Sequence, residues 1–438
     1  MKRPLITYIA VSWLFFHLSP CRLLAQPTLD VDVTLLDQRA HGIWYDTSRA
    51  RLWLTIPESD PFYGNSLGSV DPLSGTLDRS IYLGDVPRPL GLSENGQYMF
   101  VGLDAGSVVK VDLSSEQVVS TVELGTVLGG AVKAFRIDGR PGSDEAFGVI
   151  KTNRDGSPNF FTPDVFDGNS LLIGSGPIVL PTCNDGRFRP SDPDIFFCIQ
   201  NSGQESRVRT LLIDEVGLQS WGLFSGLFYG QDGGGMSVDG DLLLTDSGAL
   251  MDISAEVPVP LGTCSVPVSL TIMKRSFMDP YENLVGVAHR KSSTFDTLRV
   301  TRFNRGTFLV HDFIDVPLPV GTTFNVSEII CWGPGARYAF RMSDGHVLVV
   351  NGSPVSTQVT PIDRGSHPVL LSDGAWLYAE GQEHSLVTLH DVTGKLLRTS
   401  DSTGRLSLAG LSNGIHLVQV WSRTGELLVT YKWGGPVG

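Results

Sequence analysis

Residues 91–125 read GLSENGQYMFVGLDAGSVVKVDLSSEQVVSTVELG. Four short apolar or alternating runs, Arg88 to Ser93, Tyr98 to Leu103, Val108 to Asp112 and Val118 to Leu124, are bounded by turn residues such as Asn95-Gly96 and Ala105-Gly106. Alternation with period two marks half-buried strands, and Asn-Gly is a strong two-residue hairpin signal. The stretch therefore predicts a four-stranded antiparallel unit. It also repeats: Val70-Asp71-Pro72-Leu73-Ser74-Gly75 recurs 41 residues later as Val111-Asp112-Leu113-Ser114-Ser115-Glu116, and Tyr82-Leu83-Gly84 recurs as Glu123-Leu124-Gly125. A period near 40 with strand chemistry throughout points to propeller blades.

Weaker copies keep the same rhythm. AVKAFRID, EAFGVIKTN and LLIG fall between Ala131 and Ser175; IVLPTC, DIFFCIQN and VRTLLID fall between Ile178 and Leu218. Further units begin near Gly233, Val268 and Ser327, which makes seven candidates with the one at HGIWYD and RLWLTI. A spare strand, Leu29 to Leu36 (LDVDVTLL), is placed to complete the last blade and close the ring. Six or eight blades, or a double-sheet sandwich, are the alternatives. The expected fold class is all-β: a β-propeller of about seven four-stranded blades, residues 26–361, followed by a small C-terminal β-sandwich, residues 366–434.

Composition agrees. The chain has 438 residues with 49 Gly and 26 Pro, as many turns require, and 41% hydrophobic residues, enough for a packed core. A formal net charge of -13 without a basic stripe argues against nucleic-acid binding. Residues 1–25, MKRPLITYIAVSWLFFHLSPCRLLA, place Lys2 and Arg3 before an apolar run and Ala25 before Gln26. This reads as a secretory signal peptide. The run from Leu5 to Leu18 is shorter than the roughly 20 residues that span a bilayer, so no integral span is expected in the mature chain. Acylation at Cys21 is a minor alternative, disfavoured by Pro20.

In an oxidising compartment four mature cysteines, Cys183, Cys198, Cys264 and Cys331, allow three pairings. Cys183 and Cys198 flank the turn-rich NDGRFRPSDPDIFF and can face each other across a hairpin, which leaves Cys264 with Cys331.

Beyond Ser366 the pattern changes. VTLHDVTGKL at 387–396, LSLAGLSNGI at 406–415 and the closing Tyr431-Lys432-Trp433 resemble the type A C-terminal sorting domain of the type IX secretion system. The motif positions are Asp391, Gly394, Lys395, Asn413, Gly414, Ile415 and Lys432. His416 stands where that family usually has Tyr, the Asn-Pro entry signal is absent, and residues GGPVG follow Trp433. The resemblance implies recognition by the outer-membrane translocon and a secreted or cell-surface destination. The first two blades also resemble surface propellers with YVTN-type repeats, families that are mostly binding scaffolds.

Chemistry is sparse. There is no Gly-x-Ser-x-Gly elbow, the histidines are scattered singly, and the Asp-Gly pairs at Asp155, Asp185, Asp232, Asp239 and Asp344 read as hairpin turns. Neither a metal nor a cofactor is implied. The most suggestive residues are aromatics read as exposed loops: Phe62 and Tyr63, and Trp221, Phe224, Phe228 and Tyr229 in SWGLFSGLFYG, able to stack on a glycan or grip a protein. The expected function is an exported binding module; an enzyme of glycan lyase or lactonase type at the propeller axis and an inert surface protein are the alternatives.

Overall fold

The structure is a computed structural model. It describes residues 28–29, 31–127, 130–154, 163–173, 183–201, 206–214, 217–228, 235–264, 266, 275–291, 296–320 and 325–352, then 369–372, 376–380, 386–390, 396–400, 405–407, 415–421 and 427–434. Contacts divide the chain into two units, Met1–Ser353 and Pro354–Gly438. Among the described residues every regular element is a strand.

The first unit is a seven-bladed propeller of antiparallel blades. In the second blade Pro87–Leu92, Tyr98–Leu103, Ser107–Asp112 and Gln117–Glu123 lie side by side in chain order. The first blade has the same layout from Ile43–Asp46 to Thr76–Tyr82, and the fourth and fifth repeat it from Asp185–Arg189 and Met236–Asp239. The third adds Thr126–Val127 beside its first strand, Gly130–Gly139; the sixth, starting at Arg275–Asp279, adds Thr28–Leu29 parallel to Val310–Pro317. Each blade's first strand touches that of the next, and the seventh blade's, Val326–Gly333, touches the first blade's. These seven strands therefore ring the axis.

The repeated Val-Asp has a local cause. Val70 and Val111 end a strand in the core, and the following carboxylate caps the turn: Asp71 Oδ1 accepts from Leu73 N at 2.9 Å, and Asp112 Oδ1 from Ser114 N at 2.7 Å. Inner strands are buried on both faces, because each face packs on a neighbouring blade. Hence Leu52 to Ile56 and Met99 to Leu103 are buried without a break, whereas the outermost Gln117–Glu123 is mostly exposed. Seven apolar clusters, one at each blade-to-blade junction, make up the core of the ring. Packing there is close enough that a Cβ on Gly102 would lie 2.6 Å from the Ala134 Cβ of the next blade.

Closure follows the expected route. The seventh blade supplies Val326–Gly333, Arg337–Met342 and Val347–Gly352, and its outer strand is Val31–Leu35, in register Val33 to Val350. One sheet thus joins both ends of the unit and leaves no gap in the ring.

The second unit holds two antiparallel sheets. One comprises Val369–Ser372, Trp376–Glu380 and Leu406–Ser407; the other has the order Leu396–Thr399, Leu386–His390, Ile415–Trp421, Leu427–Gly434. Val387, Leu389, Leu406 and Val418 are buried.

Three expectations change. Asp185-Gly186 opens an inner strand rather than a hairpin turn; the turn lies at 190–191. The stretch containing Trp221 and Phe224 is the long outer strand Gly217–Phe228 of the fourth blade, not a loop. Cys183 and Cys198 form a disulfide with Cα atoms 5.4 Å apart, but Cys264 and Cys331 carry free thiols. Their positions explain this: Cys264 packs between the fifth and sixth blades and Cys331 between the sixth and seventh.

Candidate functional site

A cavity of about 570 Å³ lies on the propeller axis, and all seven blades contribute to its wall. Its floor is set by charges on the inner strands. Arg136 Nη1 of the third blade donates to Glu328 Oε1 of the seventh at 2.5 Å, so this ion pair crosses the axis. Arg341 Nε holds the other oxygen of Glu328 at 2.8 Å, and Ile43 N donates to it at 3.2 Å. Burial alone would raise the Glu328 carboxyl, but the Arg341 and Arg136 guanidiniums prevail and hold it at about 2.

Round the same tier, Arg136 Nε lies 3.4 Å from Asp185 Oδ1, while Asp185 Oδ2 accepts from Met236 N at 3.0 Å. Asp246 pairs with Arg275 and accepts from Gly235 N at 2.8 Å. Burial keeps the Asp246 carboxyl above its usual range despite Arg275. Gly235 leaves room for this pair: a Cβ would fall 2.3 Å from Arg275 Nη1 and 2.4 Å from Asp246 Oδ2, so those side-chain ends would have to shift.

Two residues further along their strands, and so on the same sheet faces as Arg136 and Asp185, stand Asp138 and Arg187. Asp138 Oδ2 accepts from Phe188 N at 2.8 Å. Burial pushes its carboxyl up to about 6, opposed by the Arg187 charge and that hydrogen bond and reinforced by Asp185. Trp44, Tyr45 and Tyr281 supply aromatic wall, and burial raises both tyrosine hydroxyls. The arrangement suits binding by a rigid cavity with a polar base.

The aromatics singled out from sequence lie elsewhere. Phe62, 85% exposed, and Tyr63 project from the loop between the second and third strands of the first blade, with ring centroids 6.4 Å apart. Trp221 is exposed on the outer strand of the fourth blade; Phe224 is partly buried against the junction with the fifth. These two groups belong to different blades and do not form one patch. The side chain of Phe228, and Tyr229 altogether, lie outside the described residues. So do residues 1–25, Asp391, Gly394, Lys395, Asn413 and Gly414. Ile415 begins the central strand Ile415–Trp421, and Lys432 lies in its partner Leu427–Gly434.

Sequence reading missed Arg136, Asp138, Asp246 and Glu328. No motif links them, since they are brought together only when the ring closes; their shared signal is a charge on, or packed against, the strand that opens a blade.

No protein-family profile matches the chain, and no curated protein does. Solved structures do. The Cps50 (Swd1) beta-propeller domain of Myceliophteria thermophila is matched with TM-score 0.53 and 11% identity, over 74% of this chain and all of that one. Hydrazine synthase of Kuenenia stuttgartiensis is matched with TM-score 0.49 and 14% identity, over 74% of this chain and 98% of that one. At such identity the first likeness establishes the fold alone: the chain is a β-propeller protein.

Proposed function

We propose that this chain is an exported binding protein, a seven-bladed propeller delivered to the cell surface or the medium by a type IX C-terminal sorting domain at residues 366–434. The signal-peptide pattern of residues 1–25 and the three motif segments support the destination. The axial cavity carries the binding reading. Its deep charges are engaged with one another or with backbone amides, which fixes the wall and leaves an aromatic-lined space open to a ligand.

The test is deletion of residues 366–434 from the full chain in a type IX-competent host. Accumulation in the periplasm is the expected result; unchanged delivery outside the cell overturns the sorting assignment.

A second reading, an enzyme acting at the axis, is favoured by one observation: Asp138, a carboxyl raised to about 6 beside Arg187, has the protonation behaviour of an acid-base group. It requires turnover that Asp138→Asn abolishes; ligand binding without turnover excludes it.

A further inference from the structure

We propose that the axial cavity binds a small amphipathic carboxylate, with its acid group on Arg187 and its apolar body against Trp44, Tyr45 and Tyr281. This deepens the binding reading above and rests on it.

The starting observation is an inequality among the guanidiniums of the axis. Arg136 and Arg341 are tied to Glu328 at 2.5 and 2.8 Å, and Arg275 is bonded to Asp246. Among the described residues Arg187 has no hydrogen-bonded carboxylate partner. It lines the cavity, donates one hydrogen bond, from Nη1 to its neighbour's carbonyl Gly186 O at 3.2 Å, and comes within 3.8 Å of Asp185 Oδ1. That oxygen already serves Gly186 N at 2.9 Å, and Arg136 lies nearer to it than Arg187 does. A guanidinium presents five donors in a planar fork whose geometry fits a carboxylate. Most of this fork is unfilled at the cavity wall.

Asp138 is the acid whose charge interacts with Arg187 and competes for it; one of its oxygens is occupied by Phe188 N, and burial opposes its ionised form. The charged groups facing Asp138 are Arg187 and Asp185. A cavity of about 570 Å³ with an aromatic wall admits a ligand of one or two rings and gives its apolar face something to stack on.

Three probes on the same indole body separate the charge from the body: indole-3-acetate, its neutral isostere indole-3-acetamide, and cationic tryptamine. They are titrated calorimetrically into the purified mature chain at neutral pH. Indole-3-acetate is expected to bind about tenfold or more tightly than either of the others, as a charge-assisted hydrogen bond implies. Arg187→Gln removes that preference. Asp138→Asn, which deletes the competing negative charge, tightens indole-3-acetate, and this opposite sign guards against a variant that merely unfolds. Equal binding of the three probes, preference for tryptamine, or no binding by a chain with native near-UV circular dichroism overturns the proposal. In that case a chain still delivered outside the cell keeps the exported-binder reading; intact indole-3-acetate binding by a chain that is never exported has the reverse meaning.

Discussion

Arg136 Nη1 and Glu328 Oε1 are 2.5 Å apart although 192 residues separate them in sequence and their blades face each other across the ring. The pair is a strut across the axis, and Arg341 braces its acidic end. Removing Arg136 leaves Glu328 deep in the protein with Arg341 as its remaining ion-pair partner. Arg136→Leu is expected to cost about 1.5–3 kcal/mol in denaturant unfolding, the scale of one charge-assisted hydrogen bond. The double variant Arg136→Leu with Glu328→Leu should lose less than the sum of the single losses, and additivity would contradict the strut.

Acid titration separates Asp138 from Glu328 by sign. The Asp138 carboxyl is raised from 3.8 to about 6 on folding, so the folded chain binds a proton that the unfolded chain lacks, and stability grows as pH falls through 6. Asp246 and Asp279 are raised as well and act in the same direction. Glu328, lowered from 4.5 to about 2, contributes fully above 4.5 and loses its contribution as pH falls towards 2. His41, lowered below 6.5 by burial, opposes this gain over the same range, so the urea midpoint should rise between neutral pH and about 5 only by the excess of the carboxyl contributions, and fall in stronger acid. Asp138→Asn should flatten part of the rise, and Glu328→Gln should shrink the acid-side fall.

Much of this architecture was legible in the sequence. Tyr98–Leu103 appears as read, and the neighbouring strands differ from their expected bounds by one residue. The spare N-terminal strand proved to be the closing one, because an isolated alternating run beside a repeat has one natural place, an open blade edge. The failures have a common physical cause. Asp185-Gly186 looks like a turn locally, yet its carboxylate is satisfied by Met236 N of the next blade, a partner that exists only in the folded ring. Glycines interrupt the stretch around Trp221 and Phe224, yet it forms one strand. One of those glycines, Gly222, is instead a strand position where a Cβ would meet Glu256 O at 3.0 Å. The axial site is a meeting of single residues from several blades, so no local pattern could announce it.

Ring closure depends on a five-residue strand, Val31–Leu35. Thr34→Pro deletes an amide at a position in hydrogen-bonding phase with Leu36, whose N–H donates to Val347 O at 3.0 Å, and should loosen the seventh blade. Hydrogen exchange is expected to accelerate in Val347–Gly352, its pairing partner, before the second blade is affected. Unchanged protection there would show that the closing strand is dispensable.

The Cys183–Cys198 bridge spans 15 residues and joins the entry to the fourth blade with its second strand. A loop of that length corresponds to about 3 kcal/mol in the chain-entropy picture. Cys183→Ser with Cys198→Ser should lower the melting temperature by several degrees, whereas Cys264→Ala should respond only as a small core truncation. Equal effects would argue that the bridge contributes nothing.

The measurement that tests the account most directly is intact-mass spectrometry of the protein from cells and culture medium, in a type IX-competent strain and in its translocon mutant. The account predicts extracellular protein lacking residues 1–25 in the competent strain and periplasmic protein in the mutant. The same location and the same mass in both strains would contradict it, and the C-terminal unit would then belong to the working fold rather than to an address.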